Sequence, residues 1–433
     1  MESVTSVDED MGGTRGATGK RYNWTMSFGS SSTEQQLFVG ISKGKIYGVH
    51  EGRGPSFGDL TLDEIKFDSP YLVKLAKEKF DLQKGVDWAT GYHFTIDSEN
   101  GKPTITVLGN DKNKLFTHIK FDVKNGEIVG AIHKVPKGGG LIRARLGTNE
   151  SKTLKKGMAI KGVSSKNSQV VVWGDQKPRV FNISVKPFFE FNENYDNNWL
   201  NLNINEEIVN AWVNLDNELY AATEYGLWRI EISENKMKRI LTTENKIEFI
   251  EYSSNNNIAI LTNNFIHKSN DGGDNWESIS QPKSEKITSL QISDTGTVTL
   301  LTSDGNVLQE NGGKWSVLEL AQGLETPTYM ELIGDNLFFL SDYSLWVLNL
   351  TDERWNKIQN KYEFKKLIKK RNNLFGISED GIICLIKYGD NAFNWEVERL
   401  YEEKEGIITD LEISQNDLFI ATIPDYHWED MNY

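Results

Sequence analysis

The stretch that decides the fold is Ile258-Ala259-Ile260-Leu261-Thr262 with, seven residues on, Ser269-Asn270-Asp271-Gly272-Gly273-Asp274-Asn275-Trp276. The first part is an apolar run of strand length, and the second is a turn that ends on a tryptophan. Outward from Trp276, Trp315, Trp355 and Trp395 follow at intervals of 39, 40 and 40 residues. Trp199 lies 77 residues before it, and Arg239 of Lys236-Met237-Lys238-Arg239-Ile240-Leu241 holds the intermediate place. Only 12 of the 433 residues are tryptophan, so even spacing of this kind marks an internal repeat.

Each interval has the same grammar. An apolar run such as Ile287–Ile292 or Ile407–Ile413 is followed by a turn of Ser, Asp, Asn or Gly. A second strand comes next, as in Leu219–Thr223, Leu337–Leu340 or Leu418–Thr422, and then a third, as in Gly226–Ile230 or Ser344–Leu348. The tryptophan strand closes the unit. Four short strands with turn residues every 8–12 positions, repeated near 40, predict a mainly β chain ending in a β-propeller. The expected blades lie near 166–204, 205–242, 243–282, 283–321, 322–360 and 361–401, with a partial unit at 402–433. A strand from Met158-Ala159-Ile160-Lys161-Gly162-Val163 would complete that last unit, giving seven blades and no free edge. Six blades is the alternative.

Ser269, Asp271, Gly273 and Trp276 match the pattern S-x-D-x-G-x-x-W. This resembles the Asp-box (BNR, sortilin-like) repeats of sialidases, sortilin-type receptors and plant photosystem assembly propellers. The resemblance implies a structural role: Asp271 accepting backbone N–H bonds, glycines permitting positive φ, Trp276 covering the hairpin. Degenerate relatives stand at Asn311–Trp315, Thr351–Trp355 and Asp390–Trp395. The turn has too few carboxylates for a dedicated Ca²⁺ site.

The preceding part reads differently, as a small α+β domain. Residues 1–20, with Asp8-Glu9-Asp10, read as a flexible leader, residues 21–137 as the domain, 138–157 as a linker around Lys137-Gly138-Gly139-Gly140, and 158–433 as the propeller. Tyr22–Phe28 and Leu37–Val49 form strands about a turn at Ser30–Glu34. Ser69 is the expected N-cap of a helix with Pro70 in its first turn and Leu72, Leu75, Ala76 and Phe80 on its apolar face. Two hairpins follow, one turning at Glu99-Asn100-Gly101 and one at Lys124-Asn125-Gly126-Glu127. Helix then strands, with Phe121-Asp122-Val123-Lys124-Asn125-Gly126-Glu127-Ile128, resembles the PepSY domain over about 64–135. The resemblance implies an exported or lipid-anchored bacterial protein with a binding or inhibitory module and brings no catalytic residues.

Composition narrows the function classes. A net charge of −14 argues against nucleic acid as a partner. Lys365, Lys366, Lys369, Lys370 and Arg371 form the one dense basic run and read as a solvated strand edge or turn. Cys384, alone and in the apolar run Gly381–Ile386, reads as a buried structural thiol. No run of 18 apolar residues occurs, so no transmembrane helix is expected.

The histidines are His50, His93, His118, His133, His267 and His427. His93, His118 and His133 fall in neighbouring strands, with parity placing His93 and His118 on opposite faces, so no metal site is expected. No H-E-x-x-H motif is present. A sialidase would need an arginine triad, and the propeller holds only Arg179, Arg229, Arg239, Arg354, Arg371 and Arg399, without that family's early arginine motif. No catalytic residue and no cofactor is expected. The reading is a non-catalytic, exported or surface-associated protein binding a protein or carbohydrate partner through the propeller face, its export signal or lipid anchor lying outside this sequence. The alternatives are a sialidase-like glycoside hydrolase and a structural subunit of an envelope assembly.

Overall fold

A computed structural model describes residues 3–7, 16–29, 34–54, 62–85, 90–99, 102–148, 150–156, 159–166, 169–174, 179–182, 199–201, 204, 206–214, 218–231, 236–263, 265–282, 286–388 and 395–432. The chain forms two compact units, Met1–Pro136 with Tyr426–Tyr433, and Lys137–Asp425. The turn expected at Ser30–Glu34 lies almost wholly outside the described residues, as do Asp8–Asp10 and Asp390–Asn394.

The first unit is a mostly antiparallel sheet with one helix. Its strands are β1 (Ser3–Ser6), β2 (Asn23–Gly29), β3 (Gln35–Ser42), β4 (Lys45–Arg53), β5 (His93–Glu99), β6 (Lys102–Asn110), β7 (Phe116–Asp122) and the start of β8 (Ile128–Arg145), in the order β8-β7-β6-β5-β1-β2-β3-β4. β7 alternates strictly, burying Thr117, Ile119 and Phe121. Helix α1 (Ser69–Phe80) buries Leu72, Val73 and Ala76 in one cluster with Phe94, Ile105, Val107, Ile119 and Phe121.

Three readings of this region are corrected. The leader holds a strand: β1 pairs with β2 and β5, because Ser3-Val4-Thr5-Ser6 alternates and buries Val4 and Ser6. The N-cap is Asp68 in extended conformation, Ser69 being already helical, and Pro70 sits in the first turn where its missing N–H is harmless. His93 and His118 share a face, since both oppose Leu108, in β5 and β7 respectively. One intervening strand keeps them about 9–10 Å apart across the sheet.

The second unit contains six separate four-stranded sheets, each an antiparallel meander of consecutive strands. They comprise β10–β13 (Ile160–Lys166, Gln169–Gly174, Arg179–Asn182, Trp199–Asn201), β14–β17 (Ile208–Val213, Leu219–Thr223, Gly226–Glu231, Lys236–Thr242) and β18–β21 (Ile247–Tyr252, Ile258–Thr262, Phe265–Ser269, Glu277–Ser280). The others are β22–β25 (Ile287–Ile292, Val298–Thr302, Val307–Asn311, Lys314–Leu318), β26–β29 (Tyr329–Ile333, Asn336–Ser341, Ser344–Asn349, Arg354–Ile358) and β30–β33 (Phe364–Lys370, Asn373–Ser378, Ile382–Tyr388, Trp395–Glu402). Second strands such as β15, β19 and β23 are buried along their whole length, because neighbouring sheets cover both faces.

The first strands lie side by side. β10 adjoins β14, β18 adjoins β22, and β22, β26, β30 and β34 (Gly406–Ser414) follow in turn, with β34 returning to β10. Trp212 of β14 stacks on Tyr252 of β18 at 4.5 Å. This is a β-propeller. Three of the periodic tryptophans, Trp276, Trp315 and Trp395, are spacers between its sheets: Trp276 packs in one cluster with Ile240 and Leu241 of the preceding sheet, and Trp315 donates from Nε1 to the Ser280 carbonyl at 3.1 Å. Trp395 meets Phe338 edge-on at 4.7 Å.

The expected count of seven blades, the last completed by Met158–Val163, is not what the strand pairing gives. Six sheets are separate, whereas β34 and β35 (Asp417–Asp430) share a sheet with β8 and β9 (Ser151–Lys156). The expected closing strand is also corrected: Ile160–Lys166 opens the first sheet as β10, and β8 takes the place beside β35. The linker at 138–157 is mostly strand, because Leu141, Ile142 and Ala144 have a core to fill. Its glycines permit close approach: with φ of 66° and 79°, Gly138 and Gly139 lie where a Cβ would fall 2.5 Å from the Glu405 backbone and 2.7 Å from Pro424.

Candidate functional site

The basic run is not a solvated edge. It is β30, the first strand of its sheet, and only Lys365 and Arg371 of the run are exposed. Lys370 donates to Asp410 Oδ2 at 2.7 Å and to the Val163 carbonyl at 3.0 Å. Lys369 reaches Glu251 at 3.2 Å and the Gln291 Oε1 at 3.1 Å, and Lys366 donates to the Thr409 carbonyl at 2.7 Å. Gln291 donates in turn to Glu331 at 3.1 Å and accepts from the Leu332 N–H at 3.0 Å. Asp410 and Glu412 accept the Val163 and Ser165 N–H groups at 3.0 and 3.1 Å. Charges on β18, β26, β30 and β34 thus meet inside the ring of first strands. An edge lysine needs water on its ammonium, whereas each of these has found a carboxylate or carbonyl instead.

The electrostatics follow from that enclosure. Burial and the Glu251 carboxylate together push the Glu331 carboxyl well above the usual range. Burial raises Glu412 to about 7 against the pull of Lys370. Burial lowers Lys366, whereas in Lys369 and Lys370 the neighbouring carboxylates outweigh burial and raise the ammonium. Tyr252 is raised by burial as well.

Where this network ends, a cavity of about 170 Å³ opens. Val213, Tyr252, Ile292 and Leu332 give it apolar walls, and Lys369 and Arg371 contribute cations. Its rim is made of the turns that leave five successive first strands. Those turns are internally tied: Ser254 donates to Asp294 at 2.7 Å, and the Asn257 amide to the Ser293 carbonyl at 3.0 Å. The Glu218 N–H bonds the Asn214 amide oxygen at 2.9 Å.

The Asp-box residues lie elsewhere, on the hairpin of β20 and β21. Asp271 Oδ1 accepts the Asn275 N–H at 2.9 Å and the Ser269 hydroxyl at 2.8 Å. Ser269 Oγ accepts the Gly273 N–H at 2.8 Å, and Trp276 Nε1 donates to the Gly273 carbonyl at 3.0 Å. Gly272 and Gly273 have φ of 70° and 92°. The bonds from Asn275 and Ser269 hold the Asp271 carboxyl down at about 2. Arg229 ties the hairpin to its neighbour through Asp274 at 2.7 Å, and Tyr220 donates to the Gly272 carbonyl at 3.0 Å.

The arginines do not form a clamp. Arg229 and Arg239 belong to the second sheet, Arg354 to the fifth, and Arg371 and Arg399 to the sixth; all but Arg371 have a carboxylate within 4 Å. The side chain of Arg179 lies outside the described residues. Nor do the histidines gather. His93 meets the Ser6 hydroxyl at 3.2 Å, His133 meets Asp111 at 3.4 Å, and His118 sits 4.4 Å from the Trp428 ring. Burial, then Lys120 and Lys134, hold His118 down at about 4, as a neutral ring. Among the described residues no cluster of three His, Cys, Asp or Glu could hold a metal. Cys384 is buried, and burial pushes its thiol up to about 12.

No protein-family model matches the chain, and no curated protein matches it. Among solved structures it is similar to a chain of the mitotic checkpoint complex at 9% identity, covering 65% of this chain and 94% of that one, with a TM-score of 0.45. YCF48 from Cyanidioschyzon merolae is similar at 11% identity over 65% of this chain and 98% of its own, TM-score 0.43, and U3-55K at 10% over 65% and 98%, TM-score 0.45. The propeller assignment rests on the strand pairing of this chain itself.

Proposed function

We propose that this chain is a non-catalytic binding protein that holds a protein partner on the face where the channel cavity opens. The observation that carries this reading is the mouth itself: apolar walls ringed by hydrogen-bonded turns, a concave and preorganised surface of the kind partners use. The charged residues beneath it bond to one another across the ring, which fits a rigid support for that mouth. Export or attachment at the cell surface is part of the proposal. Support comes from the sequence resemblance of Ser269–Trp276 to Asp-box repeats and of residues 64–135 to PepSY modules.

The test is to probe the immobilised chain with peptide and glycan arrays and, in parallel, a sialoside substrate. Saturable peptide binding without turnover is expected. Hydrolysis of the sialoside, or recognition of glycans alone, overturns the protein-binding reading. Fractionation of the source cells tests export separately, with recovery only in the cytosol against it.

A further inference from the structure

The cavity has the volume of a side chain, not of a folded element. At about 170 Å³ it admits one large apolar group, such as a leucine, phenylalanine or tryptophan side chain. Val213, Ile292 and Leu332 offer that group no hydrogen bond, so the occupant's inserted part is apolar. The polar groups at the rim are largely engaged with one another and stand ready as a fixed collar.

The two cations differ in kind. Lys369 is engaged by Glu251 and Gln291. Arg371 is exposed at the tip of the β30–β31 turn, held at φ 54°; it makes no ion pair within 4 Å among the described residues and acts on the buried Glu412 carboxyl only at longer range. On a chain of net charge −14, a guanidinium left open beside an apolar hole is a specific local complement to an anion. Asp294, the acid in the lining, accepts the Ser254 hydroxyl and lies within electrostatic reach of Lys369.

Resting on the protein-binding reading, we infer that the cavity takes a single apolar anchor side chain from a partner polypeptide, with an Asp or Glu beside the anchor engaging Arg371. The occupant is a segment of a partner rather than a free small molecule. A free ligand that fills the hole gains only the walls, whereas a polypeptide also lays its flanking backbone across the turns that frame the mouth. A buried anchor ringed by lesser contacts is the general form of a binding hot spot.

The experiment pans a displayed random-peptide library on the full chain and measures the enriched peptides by fluorescence anisotropy. The variants are Ser253→Trp, which fills the mouth from a half-buried lining position at the cost of the Asn255 N–H bond to its hydroxyl, and Arg371→Glu. Peptides sharing a large apolar residue next to Asp or Glu are expected. Ser253→Trp should abolish their binding, and Arg371→Glu should weaken it at least tenfold while sparing peptides whose acid is changed to Gln. Unchanged thermal melting of both variants shows that the effect is local. Peptides that bind with equal affinity to both variants overturn this inference and leave the protein-binding reading standing. Failure to enrich any peptide overturns both. Binding of N-acetyl-tryptophan as tight as that of the peptides replaces the polypeptide with a small carboxylate ligand and also overturns it.

Discussion

The Asp-box hairpin at Ser269–Trp276 and the lysine run at Lys365–Arg371 are opposite cases of what a short motif reveals. In the hairpin the four motif residues are locally satisfied: Ser269, Asp271, Gly273 and Trp276 bond within eight residues, while Asp274 and Gly272 reach the neighbouring sheet, through Arg229 and Tyr220. In β30 the partners are remote, at Glu251, Gln291, Asp410 and Val163. A hairpin states its own geometry, because its spacing is its contact list. A buried ion pair does not, since its two halves are joined only by the closed ring.

The largest effect separating the two regions is expected at Lys370. Lys370→Met strands Asp410 and Glu412 without their countercharge and should cost about 3–5 kcal/mol in denaturant unfolding. A loss under about 0.5 kcal/mol would restore the solvated-edge reading. Next comes pH. Glu412 has a folded value of about 7 against a usual 4.5, so the folded state keeps a proton that the unfolded chain releases between those values. Its contribution is therefore full below about pH 4.5 and falls as pH rises toward 7. In Glu412→Gln that slope disappears, and the difference between the two proteins across the window should approach about 3 kcal/mol in thermal melts. Parallel melting curves for the two proteins would remove the assignment.

A smaller loss is expected in the hairpin. Asp271→Ala frees the Asn275 N–H at an exposed turn and should cost about 1 kcal/mol, with faster amide exchange confined to residues 272–276. Exchange that spread through β18 and β19 would make the turn a folding hub instead of a local clasp. The smallest effect belongs to Lys365→Met, which alters the basic run at an exposed position and should change stability by less than about 0.5 kcal/mol.

Strand periodicity and turn chemistry were legible wherever the contacts are local. The second strands and the Asn125-Gly126 hairpin follow from residues within about ten positions of each other, and the unit length from tryptophans that recur about every 40. The closing strand was not legible, because Ile142 and Ala144 are buried by residues more than 200 positions away, and Leu141 packs with Phe419 and Ala421 as well as with β10 and β11. Their glycine-rich approach imitates a linker in one dimension and is a close crossing in three. The channel did leave a trace. Glu251, Gln291, Glu331 and Lys369 recur at intervals of 40, 40 and 38 residues at matching places near the ends of successive first strands. A polar residue repeating with the period of the blades marks an inward row, and that signal outranks the local density of lysine. Arg371 could not be told from its neighbours in the run, since its exposure depends on a two-residue turn.

The pairing of Arg143 with Asp417 across 274 residues has a consequence for how the molecule is made. On a ribosome the six separate sheets can assemble in order as they emerge, each on the one before it. Their ring stays open until residues 406–425 arrive, with β8 and β9 waiting from the start. Closure thus comes after the six separate sheets and joins residues far apart in the sequence, the circumstance in which folding is slowest and exposed edges are most prone to capture by other chains. A nascent chain arrested near residue 400 should bind chaperones that release the completed protein.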